Sequence, residues 1–241
     1  MPLARNVIYL AGLKFGSAED APGTWAANAY MPGVICQKYR GSRMVAFSTG
    51  AVYGLTPAAD GGSRETDPPE PVGEYAMSCL GRERIIQYFS RQHGLPSVLI
   101  RLFYACELRY GVLVDLALRV KAGEPIDLSM GCFNIIWQGD SNAMTLRALA
   151  HADSPSIALN LTGPETLHIR EVAQQLGRFL GKSPVFCGSE SGTSCLGNMA
   201  HAERILGKPR VSAAQLLVTT AASNCCDCAS FCCMTCLVCA V

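Results

Sequence analysis

RMVAFSTGAVYG, residues 43–54, is the stretch that decides the fold. Arg43 to Ser48 is a short apolar run with the length of one buried strand, and it breaks off in hydroxyls and glycines, where a chain turns. GEYAMSCLGRERI, residues 73–85, then opens a helical pattern that continues from Tyr75 to His93. A second apolar run, SVLIRL from Ser97 to Leu102, follows it. Strand, helix and strand in that order build a parallel sheet, because parallel neighbours need a crossover long enough to hold a helix.

The same alternation extends in both directions. Further strands are expected at Asn6 to Ala11, Asn134 to Gln138, Ile157 to Leu161 and Pro184 to Cys187. Further helices are expected at Thr24 to Tyr39, Gly111 to Lys121, Asp140 to His151 and Ile169 to Leu180. In the last of these, Ile169, Val172, Ala173, Leu176, Phe179 and Leu180 share one face and Gly181 stands where the helix stops, which is a core pattern. TPAADGGSRETDPPEPV, Thr56 to Val72, separates the two quoted motifs and is too long for a bare connector; loops of that length are functional or mobile. The fold class is therefore α/β.

Composition narrows the function. The chain has 241 residues, 49% of them hydrophobic, which is ample material for a core. Lys and Arg (20) balance Asp and Glu (19), so net charge points to neither nucleic acid nor an anionic membrane. A small molecule is the natural partner. The opening MPLARNVIYLAGLKFG lacks the cleavage pattern of a signal peptide, and the expected location is cytoplasmic. The four histidines, His93, His151, His168 and His201, show no ligand spacing, so no catalytic metal is expected.

Taken in order, six segments resemble the extended branch of the short-chain dehydrogenase/reductase superfamily, the NAD-dependent epimerase/dehydratase proteins. VIYLAG (Val7 to Gly12) resembles the strand beside the adenine, and FSTGAVYG resembles the Ser/Thr motif. Tyr75 resembles the active tyrosine of a Tyr-x-x-x-Lys pattern, and Glu83 the acid four residues past that lysine. VLIRLFYACELRYG resembles the strand and loop beside the nicotinamide, IWQGDSNAM the later segment that places an Asp before a helix, and LNLTGPETLHIREVAQQLG the substrate-domain strand, turn and helix. The resemblance implies a Rossmann-like parallel sheet with helices on both faces and a small C-terminal α/β substrate-binding portion. It implies NAD or NADP as cofactor, a nucleotide sugar as substrate, and a homodimer built through the Thr24 and Tyr75 helices. The dinucleotide side would involve Leu10, Ala11, Gly12, Ser48, Tyr75, Phe103 and Tyr104, and the sugar side Arg109, Tyr110, Trp137, Gln138 and Asp140. Each of the latter has a plainer role open to it, such as a helix-flanking salt bridge for Arg109 or a buried indole for Trp137.

The chemistry implied is proton exchange by Tyr75 with a substrate hydroxyl, Thr49 bonding the same oxygen, while a hydride passes to or from nicotinamide. Tyr75 could equally be an ordinary helix-start tyrosine, and Thr49 a hydroxyl that caps the turn. A tyrosine with its usual pKa near 10 is a poor base unless a cation favours its phenolate. The family's lysine is that cation, and Cys79 stands in its place. Arg82 is the nearest other cation, two turns along the same helical face. The two positions after Thr49 are Gly50 and Ala51, where family dehydratases carry an acid pair, so elimination is disfavoured against epimerisation or plain oxidation and reduction.

Two ends depart from the resemblance. No Gly-x-x-Gly-x-x-Gly precedes the first strand; GLKFG (Gly12 to Gly16) and GSESG (Gly188 to Gly192) have the wrong pattern, so the sheet is expected to be N-terminally incomplete and the chain a fragment. From Val218 the sequence is VTTAASNCCDCASFCCMTCLVCAV, holding Cys225, Cys226, Cys228, Cys232, Cys233, Cys236 and Cys239. It is read as an unstructured or non-native end, with an iron–sulfur or metal site and a membrane anchor as the alternatives. The expected division is 1–130 for the dinucleotide-binding part, 131–211 for the substrate portion and 212–241 for the tail. A non-catalytic binding protein of the same fold is the competing function, favoured by Cys79 and the absent phosphate loop.

Overall fold

The computed structural model describes residues 2–14 and 18–225. The chain enters with strand β1 (Asn6–Tyr9) and crosses over through a helix, α1 (21–38), started by the Asp20 carboxylate, which accepts from the Gly23 N–H, and by Pro22 in the first turn. Within α1 a π-helical turn spans Ala26–Tyr30. Strand β2 (Arg43–Thr49), the long helix α2 (Gly73–His93) and strand β3 (Ser97–Leu102) follow, and Gly94 closes α2 in the left-handed region at φ 66°. Next come β4 (Tyr104–Cys106), α3 (Val112–Ala122), β5 (Pro125–Asp127), β6 (Ile135–Trp137) and α4 (Gln138–Ala148). The rest is β7 (Ile157–Leu161), α5 (Ile169–Leu180), β8 (Val185–Cys187), α6 (Ala200–Leu206) and α7 (Ala213–Cys225).

The main sheet runs β1-β2-β3-β7, all parallel, as the alternation requires. Its faces follow from the period of two along each strand. Met44 and Ala46 of β2 and Leu99 of β3 turn to α1 and α2, where they meet Ile35, Cys36, Ile86 and Phe89. Val45, Val98 and Ile100 turn the other way, to Met144 and Ala148 of α4 and Ala202 and Leu206 of α6. Both faces are therefore covered, and the strands read as unbroken apolar runs for that reason. Gly163 lets β7 leave the sheet tightly: a Cβ there would lie 1.9 Å from the Ile135 carbonyl oxygen.

A second core joins Leu113, Leu116 and Val120 of α3, Ile126 of β5, Val172 and Leu176 of α5, and Leu216, Leu217 and Ala221 of α7. Residues 112–128 thus pack with the C-terminal portion, across the boundary expected at 130. Ala213–Cys225 corrects the expectation of a structureless stretch from 212 on. Its apolar residues recur at helical spacing and bury against α3 and α5, so packing supplies what the cysteine-rich composition hid. The remaining cysteines, Cys226 to Cys239, lie outside the described residues, and so do the metal and membrane readings placed on them.

Three strands are shorter than expected, the one from Pro184 only by that proline. The strand from Asn6 stops at Tyr9, the last residue paired with β2, and beyond it the Asn28 side chain takes up the backbone of Leu13. Asn134 falls outside β6 because its amide is turned to the Gly197 backbone. Among the described residues no helix is long and apolar enough to cross a membrane, and no group of three or more His, Cys, Asp or Glu could hold a metal.

Candidate active site

The carboxyl ends of β2 and β3 and the first turn of α2 meet at Thr49, Tyr75 and Cys79. Register sets Thr49 beside Leu102 at the last rung of the β2–β3 ladder. There its Oγ1 accepts from the Ala51 N–H at 3.1 Å and starts the turn Gly50–Val52, so the capping role is real. The Thr49 side chain also favours the ionised form of the Tyr75 phenol.

Burial pushes the Tyr75 phenol above its usual value, and Cys79 adds to the push. The hydrogen bond to Thr49 and the charge of Arg82 pull the other way. The phenol is thus a neutral proton donor at neutral pH. Cys79 is 1% exposed, and burial raises its thiol as well, opposed first by Arg82 and then by Tyr75. It presents no charge to the phenol.

Arg82 is buried on the same face of α2. Its Nη1 donates to the Phe47 carbonyl at 2.6 Å, its Nε to the Asn28 carbonyl at 3.2 Å and its Nη2 to Asn28 Oδ1 at 2.8 Å. The guanidinium carbon stands 5.7 Å from the centre of the Tyr9 ring. Next to it, Glu83 is fully buried and bound by Arg101 through Nε at 3.0 Å and Nη2 at 2.8 Å. Ser48, expected on the dinucleotide side, donates its hydroxyl to Glu83 at 2.6 Å and so belongs to this buried network. Arg101 also donates to the Tyr53 hydroxyl at 2.5 Å, and Tyr53 donates to Asn160 Oδ1 at 2.9 Å.

Leu10, Ala11 and Gly12 emerge exposed from the end of β1, at the same edge of the sheet. A Cβ on Gly12 would lie 2.3 Å from Arg82 Nη2, so only a glycine passes the guanidinium there. Phe103 is clamped: added Cβ atoms on Gly50 and on Gly197 would each come within 2.4 Å of its ring. Tyr104 turns to the second core and packs edge-on against Phe133. Leu10–Gly12 follow β1, Thr49 ends β2 and Phe103 follows β3, so all of them lie at the carboxyl edge of the parallel sheet. No glycine-rich turn into a helix stands beside β1 among the described residues.

On the sugar side the structure brings three of the five residues together. Tyr110 hydrogen-bonds Gln138, and Arg109, exposed on the same loop, is held by Glu107 at 2.6 Å. Trp137 packs against the second core. Asp140 is buried and accepts from the backbone N–H groups of Arg210 and Val211 at 2.8 Å each, so its carboxylate ties down the chain between α6 and α7. Sequence reasoning did not single out Asn28. Its signal was there, one amide inside the apolar run WAANAYM at the π-helical turn.

A family model described as the NAD dependent epimerase/dehydratase family matches residues 5–128. Comparison with curated protein sequences gives no match. Among solved structures, RMD from Pseudomonas aeruginosa complexed with NADPH is similar, with a TM-score of 0.77 at 20% identity, over 92% of this chain and 82% of that one. The UDP-glucuronic acid 4-epimerase of Bacillus cereus in complex with NAD gives a TM-score of 0.77 at 18% identity, over 92% of this chain and 72% of that one. The UDP-glucose 4-epimerase of Thermotoga maritima with UDP-glucose gives 0.73 at 19% identity, over 90% and 76%. At these identities the likeness is one of fold.

Proposed function

The chain belongs to the NAD dependent epimerase/dehydratase family, and on that premise we propose that it oxidises, reduces or epimerises an alcohol carbon of a nucleotide sugar, with Tyr75 as the acid/base. The observation that carries this reading is that Tyr75 packs on the turn through Val52 and Tyr53 that Thr49 starts at the carboxyl end of a parallel sheet, where ligands of such sheets bind. A nicotinamide dinucleotide, when bound, supplies or accepts the hydride. Tyr75 holds a proton at its phenol oxygen and delivers it to the substrate oxygen, which Thr49 bonds from the other side. The neutral phenol favours the reducing direction, in which the tyrosine gives up its proton. Elimination is disfavoured, because the two positions after Thr49 are Gly50 and Ala51 and carry no acid pair. Arg109, Tyr110 and Gln138 are proposed to face the nucleotide diphosphate, for which an exposed guanidinium is suited.

A second reading, a non-catalytic holder of a nucleotide or a partner chain, is favoured by Cys79 in the lysine position and by the lack of a phosphate cradle among the described residues. Calorimetric titration of the full chain with NAD, NADP, UDP-glucose and UDP-glucuronic acid separates the two. Micromolar binding of a dinucleotide is the expected result; heat from the nucleotide sugars with none from either dinucleotide would favour the holder.

The assembly is proposed to be a homodimer. Tyr30 and Val34 of α1 and Tyr88 of α2 are exposed and, with Gly33 and Ile85, line a shallow apolar groove along the two helices. A second copy covering that groove would remove apolar surface from water. Twice the chain mass in solution is expected, and Tyr88→Glu is expected to halve it; a monomeric parent chain would end the proposal. All six cysteines of the described side chains are free thiols, which suits a reducing compartment such as the cytoplasm.

A further inference from the structure

We propose that Trp25 is a positioning residue of this site: its indole, laid against α2 between Gly81 and Glu74, fastens the turn of that helix that carries Tyr75. The inference rests on the reading of Tyr75 as the acid/base.

Three observations carry it. The first is how little the helix start holds itself. The first N–H groups of a helix have no partner within it, and the side chain of the cap residue usually takes one of them. Val72 stands at the cap of α2 and makes no such bond. Gly73, the first helical residue, has φ 82°, a conformation that glycine enters at no steric cost. The turn that follows is fixed by its neighbours.

The second is the hold that α1 supplies. Trp25 Nε1 donates to Glu74 Oε2 at 2.5 Å, a bond to a charged acceptor and so stronger than one between neutral groups. The six-membered ring of the same indole lies over Gly81, where an added Cβ would stand 3.1 Å from Trp25 Cζ3 and 3.3 Å from Ala29 Cβ. Gly81 follows Glu74 by seven residues, about two turns of the same helical face. The indole is therefore anchored at one end by close packing and at the other by its N–H, and the carboxylate it holds belongs to the first turn.

The third is what that turn contains. Glu74 and Tyr75 are successive residues, so fixing the carboxylate fixes the backbone from which the phenol projects. Ser78 Oγ donates to the Tyr75 carbonyl at 2.9 Å and accepts from Asn28 Nδ2 at 3.0 Å, which gives α1 a second, buried grip on the same turn. Of the two grips the one at Trp25 is the exposed member, and its indole is 37% exposed. The Tyr75 ring packs on Val52, Tyr53 and Phe103, none of which belongs to α2. A slackened first turn would thus shift the phenol against the strand end that carries Thr49.

The test compares three variants of the full chain. Trp25→Phe keeps a ring over Gly81 and removes the N–H, Glu74→Ala removes the acceptor, and Glu74→Gln keeps an oxygen for the indole. With NAD and UDP-glucose or UDP-glucuronic acid, turnover of Trp25→Phe and of Glu74→Ala is expected to fall by about tenfold to a hundredfold, the cost of a small misplacement, with the KM for NAD unchanged. Glu74→Gln is expected to retain most of the turnover, and Trp25→Phe with Glu74→Ala to be no worse than either alone, because both remove one bond. Full turnover in Trp25→Phe, or Glu74→Gln falling as far as Glu74→Ala, overturns the proposal. Should Trp25→Phe fail to fold, the contrast between Ala and Gln at position 74 decides. Amide hydrogen exchange needs no substrate: residues 73–79 are expected to exchange several-fold faster in Trp25→Phe and in Glu74→Ala while residues 84–93 keep the parent's rate, and an unchanged 73–79 overturns the proposal. Inactivity of the parent chain toward both nucleotide sugars would count against the functional reading and leave the exchange rates to judge the hold on this turn.

Discussion

Tyr75→Phe is expected to lower turnover by between about a hundredfold and ten-thousandfold, the usual worth of a positioned general acid, while the chain stays folded. The hydroxyl is the only atom removed. The ring keeps its place against Val52, Tyr53, Cys79, Leu80 and Phe103, and Thr49 keeps its bond from the Ala51 N–H. Dinucleotide affinity should change little, since the hydroxyl acts on the substrate oxygen. The pH profile supplies a sharper check. Burial holds the phenol above its usual value of 10.0, so the donor form is complete throughout the neutral range. Reduction should therefore be flat across neutral pH and fall only as pH rises past about 10, whereas oxidation, which needs the phenolate, should rise over the same interval. A variant with undiminished turnover, or a reduction profile that breaks near pH 7, would remove Tyr75 from its role.

Much of this site was legible in the sequence, and the rest was hidden for physical reasons. SVLIRL and IALNL match β3 and β7 residue for residue, because strands buried on both faces leave a continuous apolar signature. The helix from Ile169 to Leu180 is matched as closely in its bounds, with Gly181 marking its end, but Phe179, read as part of the core face, is exposed. Thr49, Tyr75 and Cys79 were placed together by the family resemblance alone, and the parallel crossover that brings a strand end beside a helix start is the physical reason they adjoin. The partners of buried polar groups were not legible. Nothing in the spacing of Ser48 and Glu83 tells that the hydroxyl turns inward, nor that Asp140 captures a backbone from beyond α6; those contacts depend on three-dimensional closure across tens of residues. The helix Ala213–Cys225 was missed for a related reason. Its composition is unusual, and its helicity comes from the second core on which Leu216, Leu217 and Ala221 lie.

Arg101→Met is expected to lower the free energy of unfolding by about 3–5 kcal/mol, the cost of leaving one partner of a buried ion pair alone. The case is unusually clear because Glu83 has 0% exposure and Arg101 4%, so neither can turn to water. After the substitution Glu83 keeps only the Ser48 hydroxyl, and Tyr53 loses the guanidinium that stands 4.8 Å from its ring centre. Replacing both partners, with Glu83→Leu added to Arg101→Met, should recover a large part of the loss, because the penalty comes from the orphaned charge more than from the missing attraction. Urea denaturation of the three variants beside the parent reads these differences directly. A single-variant loss below about 1 kcal/mol, the range of exposed pairs, would mean that water reaches Glu83. The consequence would extend to the site. Tyr53 stacks on Phe103 at 6.3 Å, and Phe103 is wedged between Gly50 and Gly197, so the ion pair supports the turn that carries Thr49. Loosening it should therefore weaken turnover even where the chain remains folded, and a folded Arg101→Met variant with full activity would show that the Thr49 turn is held by the Phe103 clamp alone.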